Sequence, residues 1–307
     1  MLPATVQIPR KLVPMEKRRA PRNVTIVIPF RDQLKYLRRT LASITAAHEP
    51  GFKPHLVLID NASIGTLNPS VLEATGCTWT LIRNDKNRAV SEPWNLGIRL
   101  GFEMHNADAV CLLNSDVLVG KGWMSRCVQA LDRGAYCSFP FCYTEGDGVP
   151  ADFARRARLA ANGKLAAAIG DLPRKQQHGE GEPYFIDDTF NSASDLVEMH
   201  ETDGFSGFCF WVSKECVSRI GYIDQNMSLV YSDTDYRNRL LAARHPPVCV
   251  HTCFTHHFGS KTLYAALHTP AQRRIILQDR RYFHRKWTSD YDQKFRIHCI
   301  AHHCIGA

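Results

Sequence analysis

The stretch Val110-Cys-Leu-Leu-Asn-Ser-Asp-Val117 decides the fold. Its first half, with Ala109, is an uninterrupted apolar run, as expected of a strand buried on both faces. It then breaks into Asn114, Ser115 and Asp116, which places a carboxylate at the exit of a buried strand. Three similar runs lie upstream: Val24-Thr-Ile-Val-Ile-Pro29, His55-Leu-Val-Leu-Ile-Asp60 and Thr78-Trp-Thr-Leu-Ile82. Between them the apolar spacing becomes helical, in Leu34, Leu37, Leu41 and Ile44, in a short Pro69 to Thr75 segment, and in Ser91 to His105. Pro93 is tolerable in the first turn of that last helix. The alternation predicts an α/β fold with a central, mostly parallel sheet flanked by helices. Ligands of such sheets bind beyond the carboxyl ends of the strands, so Arg31, Asp60, Asn84 and Asp116 are the residues to watch.

Downstream the rhythm fails from about 145 to 201, where glycines and the polar run Lys175-Gln-Gln-His-Gly-Glu-Gly-Glu182 read as an insertion with one helical patch, Asp152 to Ile169. Order returns at Gly204-Phe-Ser-Gly-Phe-Cys-Phe-Trp-Val-Ser213 and Val248-Cys-Val-His-Thr-Cys-Phe-Thr255, both strand-like. A basic helical segment follows over Thr269 to Trp287. The expected layout is a flexible basic arm (1–22), one domain (23–290) and a helical C-terminal segment with its tail (266–307). Within the domain, 23–120 forms a nucleotide-binding half and 202–265 an acceptor and catalytic half.

Of the 307 residues, 44% are hydrophobic and 22% charged, the composition of a globular protein with a substantial core. No apolar run approaches the roughly 20 residues that span a bilayer. The N-terminus is broken by Pro3, Pro9 and Pro14 and charged by Lys11 and Lys17, unlike a signal peptide, so a cytoplasmic location is expected. The eleven cysteines are scattered and include no Cys-x-x-Cys, which favours reduced, buried thiols over a disulfide frame or zinc ribbon. The tail His298 to Cys304 holds metal-binding residue types without a familiar spacing.

The net charge of +8 favours a polyanionic partner. Part of it is the arm Arg10 to Arg22, with six basic residues and one acidic. Two readings stay open: a solvated arm, or a tether to DNA, RNA or lipid headgroups.

Neither Gly-x-Gly-x-x-Gly nor Gly-x-x-x-x-Gly-Lys-Ser/Thr occurs, which excludes the common dinucleotide and P-loop architectures. A diphosphate ligand would then need a divalent metal for charge. Asp116 suits a hard cation such as Mg²⁺ or Mn²⁺, and Asn114 suits a ribose contact or ligand orientation. In Val230-Tyr-Ser-Asp-Thr-Asp235, two carboxylates two residues apart diverge on a helix and take different jobs. Asp233 reads as a general base, Asp235 as either a helix cap or a ligand contact. The histidine pair of Thr255-His-His-Phe-Gly-Ser-Lys-Thr262 reads either as structural or as the source of a neutral nitrogen that completes a site begun by Asp116.

Taken in order, Val27 to Arg31, Leu58 to Ser63, Asn87 to Gly97, Leu113 to Asp116, Gly204 to Val212, Tyr231 to Asp235 with Arg239, and His257-Phe-Gly-Ser260 resemble inverting glycosyltransferase family 2, closest to its rhamnosyltransferase-like members. Tyr282-Phe-His-Arg-Lys-Trp287 resembles a segment frequent in that group. The resemblance covers roughly 23 to 290 apart from the insertion. It implies a GT-A, Rossmann-like nucleotide-diphospho-sugar transferase fold and a UDP-, dTDP- or GDP-sugar donor. It implies that Pro29, Phe30 and Arg31 line the nucleotide site with Asn61, Asn114 and Ser115, and that Asp60 binds the base. Asp116 would hold the metal with His257, His256 being the weaker candidate, and Asp233 would be the inverting base. Gly204, Trp211 and Asp235 fall on the acceptor side. Three departures stand out. Asn114 replaces the first acid of the Asp-x-Asp motif, and Ser232 replaces the usual glutamate before Asp233. Arg88-Ala-Val90 replaces a glycine turn, which would let Arg88 touch the diphosphate, with Lys261 as a second basic group. The expected acceptor is a saccharide or surface glycan, with hydroxymethylated DNA bases as the alternative and an inactive binding protein as a third reading.

Overall fold

The computed structural model describes residues 21–144, 197–198, 205, 207–258 and 270–287. The basic arm, the helical patch at 152–169 and the His298 to Cys304 tail lie outside the described residues. The expected strands and helices form, with shifted ends, together with elements at 117–119, 123–132, 137–144, 197–198 and 214–220 that the sequence pattern does not single out. In chain order the elements are β1 (Arg22–Phe30), α1 (Leu34–Ala46), β2 (Phe52–Asp60), α2 (Ser70–Glu73), β3 (Thr78–Arg83), α3 (Ser91–Arg99), β4 (Ala109–Leu113), β5 (Val117–Val119), α4 (Trp123–Asp132) and β6 (Cys137–Thr144). After the insertion come β7 (Val197–Glu198), β8 (Cys209–Ser213), α5 (Lys214–Ile220), α6 (Ser232–Ala242), β9 (Val248–His257) and α7 (Pro270–Trp287). The strand expected from Gly204 begins only at Cys209, because Gly207 and Phe208 are spent on a turn.

The sheet runs in the order β3-β2-β1-β4-β8-β6-β9-β5, with β7 beside β9. Its N-terminal part, β3-β2-β1-β4, is wholly parallel, as the strand-helix alternation requires. Beyond β4 it is mixed: β8 runs antiparallel to β4 and β6, and β6 runs parallel to β9.

Strand alternation divides the core into two layers. Ile26, Ile28, Leu37, Leu41, Trp123 and Trp211 pack on one face, and Val27, Trp94, Phe210 and Tyr236 on the other. Gly97 lets α3 lie close on β1, since a Cβ there would come 2.1 Å from a Val27 methyl. The helix expected to reach His105 continues past α3 as a π-helical turn, Leu100–Met104. Most described cysteines belong to this core, free and buried, with desolvation driving the thiols of Cys127, Cys137 and Cys209 well up. Among the described residues no helix is long and apolar enough to cross a membrane.

One surface feature of the sheet makes stability sensitive to pH. His55 on β2 bonds Thr78 and Thr80 of β3 and stacks on His105 at 3.7 Å. Desolvation, then the neighbouring His105, lowers its pKa from 6.5 to about 4. The unfolded chain therefore binds a proton near pH 6.5 that the folded chain refuses until about pH 4, and stability is expected to decline across that window as pH falls. Denaturant unfolding at stepped pH reads the slope, which His55→Gln should flatten.

Candidate active site at the carboxyl ends of the parallel strands

The rim beyond β1, β2 and β3 carries unusual backbone strain. Asp32, Gln33, Ala62, Ala89 and Tyr231 all have positive φ, from 50° to 66°. For residues with a Cβ this costs about 1–2 kcal/mol each, and such costs gather where a site must be shaped. Ala89 holds φ 58°, the conformation that a glycine turn would supply at the position where the motif comparison misses one.

Asp116 is positioned from three directions. After β4 the chain turns, and Asn114 donates its N–H to the Phe208 carbonyl at 2.8 Å. Thr40 of α1 donates its hydroxyl to the Ser115 carbonyl at 2.9 Å and accepts from Val117 N–H at 3.2 Å. The Asp116 carbonyl accepts from Phe258 N–H at 3.0 Å. Because β5 pairs antiparallel with β9, Val117 lies across from His257 and Leu118 across from His256. His257 Nε2 sits 3.2 Å from Asp116 Oδ1, both side chains 7% exposed. That contact is close enough for charge but misses hydrogen-bond alignment, and neither ring nitrogen of His257 has a hydrogen-bond partner. Phe208 stacks on the ring at 4.6 Å and seals it from water. A buried, unsatisfied imidazole against a buried carboxylate is the donor set a divalent cation accepts. Among the described residues no third His, Cys, Asp or Glu joins the pair.

The edge expected to hold the nucleotide is more committed than the motifs suggest. Phe30 turns its ring into the core, and its carbonyl accepts from Asn61 N–H at 2.7 Å. Pro29 and Arg31 are half-buried, and Arg31 makes no ion pair among the described residues. Asp60 accepts from Ser63 N–H through Oδ1 and from Arg83 Nη1 through Oδ2, both at 2.8 Å, which uses two of its roughly four acceptor positions. Asn61 is fully spent. Its amide nitrogen donates to Asn87 and Ala89, and its oxygen accepts from Asn84 and from Arg88 N–H. The expected ligand contact at Asn61 therefore gives way to a structural role, since no donor or acceptor is left over. Arg88 pairs with Asp85 at 3.2 Å and Glu92 at 3.0 Å, so its charge is neutralised locally. A cleft of about 260 Å³ opens between Arg88, Glu92, Ser228 and Ile275, but Asp116, His257 and Asp233 do not line it.

Asp233 stands half-buried in the first turn of α6. Its Oδ2 accepts from Gly207 N–H at 2.9 Å and its Oδ1 from Thr234 N–H at 2.8 Å. A Cβ on Gly207 would lie 2.7 Å from Asp233 Cβ, so this approach needs glycine. Gly207 and Phe208 thus join the parts of the site: one holds Asp233, the next stacks on His257 and anchors Asn114.

Asp235 and Trp211, expected on the acceptor side, belong elsewhere. Asp235 is fully buried and bound by Arg239 at 2.9 Å, Lys286 at 2.8 Å and the Trp287 indole at 2.9 Å. Trp211 points into the core against Trp123, because alternation along β8 sends 209 and 211 toward α4. Gly204 and Lys261 lie outside the described residues.

The helix α7 contributes what the motifs did not reveal. Asp279, its only acid, accepts through Oδ2 from the N–H groups of Ser228, Leu229 and Val230 at 3.0, 2.7 and 3.1 Å. Lys286 and Tyr282 hold Asp224. Burial opposes ionisation of Asp224, but Lys286 and Asn226 outweigh it and its pKa falls. The loop before α6 is therefore fastened to α7 on one side and to α3, through Asn95 and Ser91, on the other. Asp279→Ala leaves three amides without their acceptor and is expected to cost about 3 kcal/mol in denaturant unfolding. A lone acid within Arg-Arg-x4-Asp-Arg-Arg was the available sequence signal.

With that geometry in place, the parallel half-sheet, the acid after β4 and the acid opening α6 define an α/β protein of the sugar-nucleotide transferase type. Residues 25–221 match the family model described as Glycosyl transferase family 2. The chain belongs to that family. No curated protein matches. Among solved structures, the fold is similar to GalNAc-T7 with UDP, GalNAc and Mn²⁺ (12% identity, TM-score 0.54), covering 78% of this chain and 44% of that one. It is also similar to the mannosyltransferase PcManGT from Pyrobaculum calidifontis in complex with GDP-Man and Mn²⁺ (14%, TM-score 0.54; 87% and 65% of the two chains). A third is S. aureus TarS 1–349 in complex with UDP (10%, TM-score 0.52; 91% and 76%). The chain thus spans under half the length of the first of these. At these identities the likeness is one of fold, and it agrees with the GT-A expectation.

Proposed function

We propose that this chain is an inverting glycosyltransferase that moves a sugar from a UDP-, dTDP- or GDP-sugar to an acceptor hydroxyl, using Mn²⁺ or Mg²⁺ held by Asp116 and His257. The observation that carries the reading is the Gly207-Phe208 pair, which ties Asp233 to the Asp116–His257 corner. The motif order supports a rhamnosyltransferase-like member.

Asp233 is oriented by two main-chain amides, with Oδ2 aimed by Gly207. It takes the acceptor proton as the acceptor oxygen bonds to the anomeric carbon from the face opposite the leaving group. The bond from that carbon to the diphosphate oxygen breaks, and its electron pair leaves with the nucleoside diphosphate. No second carboxylate nucleophile is needed. The bound cation would neutralise charge on the departing diphosphate. Among the described residues Asp116 and His257 would hold it, and the imidazole in that pair supports Mn²⁺ over Mg²⁺, whose sites favour oxygen. Arg31, which makes no ion pair among the described residues, is the basic candidate for the nucleotide edge, because Arg88 is already paired.

A panel of UDP-, dTDP- and GDP-sugars with Mn²⁺, scored by nucleoside diphosphate release and by donor binding, tests the reading. One donor should be bound and turned over. If none is, the enzyme reading fails in favour of a binding protein with the same fold.

A further inference from the structure

The outer face of α7 carries a row of exposed guanidinium groups. Arg274, Arg281 and Arg285 recur at intervals of seven and four residues, which puts them on one helical stripe, and Arg280 and His284 flank it. The four arginines are exposed, and none has an ion-pair partner among the described residues. The helix has a single acid, Asp279, and it faces inward, 2% exposed. Lys286 also turns inward, to Asp224 and Asp235. So the inner face of α7 is neutralised by the carboxylates it organises, while among the described residues no carboxylate pairs with Arg274, Arg280, Arg281 or Arg285 on the outer face.

We propose that this face docks the phosphodiester backbone of a nucleic acid, without sequence readout, beside the loop that leads into Asp233. Three features favour that occupant. The cations are all arginine, whose planar fork suits phosphate oxygens. They form a line of about 16 Å, from eleven residues at 1.5 Å each, which matches the run of about five phosphates along one strand of duplex DNA. The face lacks the broad apolar surface by which a helix lies in a membrane. Only Leu277 is an exposed large hydrophobe on α7, while Phe283 is buried within. This deepens the glycosyl-transfer reading, on which it rests for its meaning, by naming a class of partner held beside the site. Its test reads binding alone.

Anisotropy of a labelled 30-base-pair duplex is followed against the full chain from 50 to 300 mM salt. The variant Arg274→Gln/Arg280→Gln/Arg281→Gln/Arg285→Gln is expected to bind at least about 30-fold more weakly at 100 mM salt. Its slope of log affinity on log salt should fall by about 3–4, near 0.9 per lost phosphate contact. The milder Arg281→Gln/Arg285→Gln pair should lose about half of that slope, which guards against a folding defect in the larger variant. Unchanged slopes overturn the proposal. So does a loss confined to a variant neutralised at Arg10 to Arg19, or binding to phosphatidylserine vesicles without binding to duplex. Nucleoside diphosphate release, measured in parallel, should be unaltered by the arginine variants. Duplex binding lost with release intact fits the docking surface, whereas absent release with duplex binding intact indicts only the transfer reading.

Discussion

Asp233→Asn is expected to bind nucleotide-sugar within about twofold of the parent while transfer falls by roughly 10²–10⁴-fold, the usual contribution of a positioned general base. The substitution keeps the shape of the side chain. Its amide oxygen can still accept from Gly207 N–H, and its nitrogen must then face Thr234 N–H, at a loss of about 1 kcal/mol in local stability. What it removes is the capacity to take a proton. Gly207→Ala supplies an independent approach, because the added methyl would meet Asp233 Cβ at 2.7 Å and push the carboxylate off its amide. It should lower kcat and leave donor binding in place. Single-turnover transfer with isothermal titration of donor separates the two quantities, and full transfer activity in Asp233→Asn would remove that residue from the base role.

Asp116→Ala should abolish measurable Mn²⁺ binding in the absence of donor and cut transfer by about 10²–10³-fold, on the scale of losing one electrostatic contact to a developing oxyanion. The reasoning is one of ligand count. The site offers one carboxylate and one imidazole among the described residues, so removing either leaves a cation with almost no protein shell. His257→Ala should act in the same direction. Asn114→Asp should act in the opposite one, tightening Mn²⁺ several-fold by adding a second acid at the half-buried turn before Asp116. Mn²⁺ titration by electron paramagnetic resonance reads all three. Unchanged binding in Asp116→Ala would dismiss the proposed metal corner.

The strand-helix alternation, the turn that ends in Asp116 and the start of α6 near Asp233 were legible because they are local. An apolar run of five residues and the polar break after it need no partner to be read. The same local reading went astray where a side chain's role depends on what crosses it. Asn61 looked like a strand-end ligand group, yet it is consumed by Asn84, Asn87, Arg88 and Ala89, some 25 residues on. Asp235 reads locally as either a helix cap or a ligand contact. Its burial under Lys286 and Trp287 depends on a helix about 50 residues away.

By itself, then, the order of residues determined an α/β chain with its acids at strand and helix ends, since hydrophobic period and turn chemistry act over a few residues, and the order of its motifs resembled a glycosyltransferase family. Only the tertiary structure decided which histidine meets Asp116. The choice rests on the antiparallel register of β5 and β9, where a shift of one residue would exchange His257 for His256. It also decided that Gly207 and Phe208 link Asp233 to the Asp116–His257 corner, and that α7 turns one face to the loop before α6 while Arg274, Arg280, Arg281 and Arg285 stay exposed. Those are pairings between distant segments, fixed by packing and hydrogen-bond satisfaction across the whole sheet.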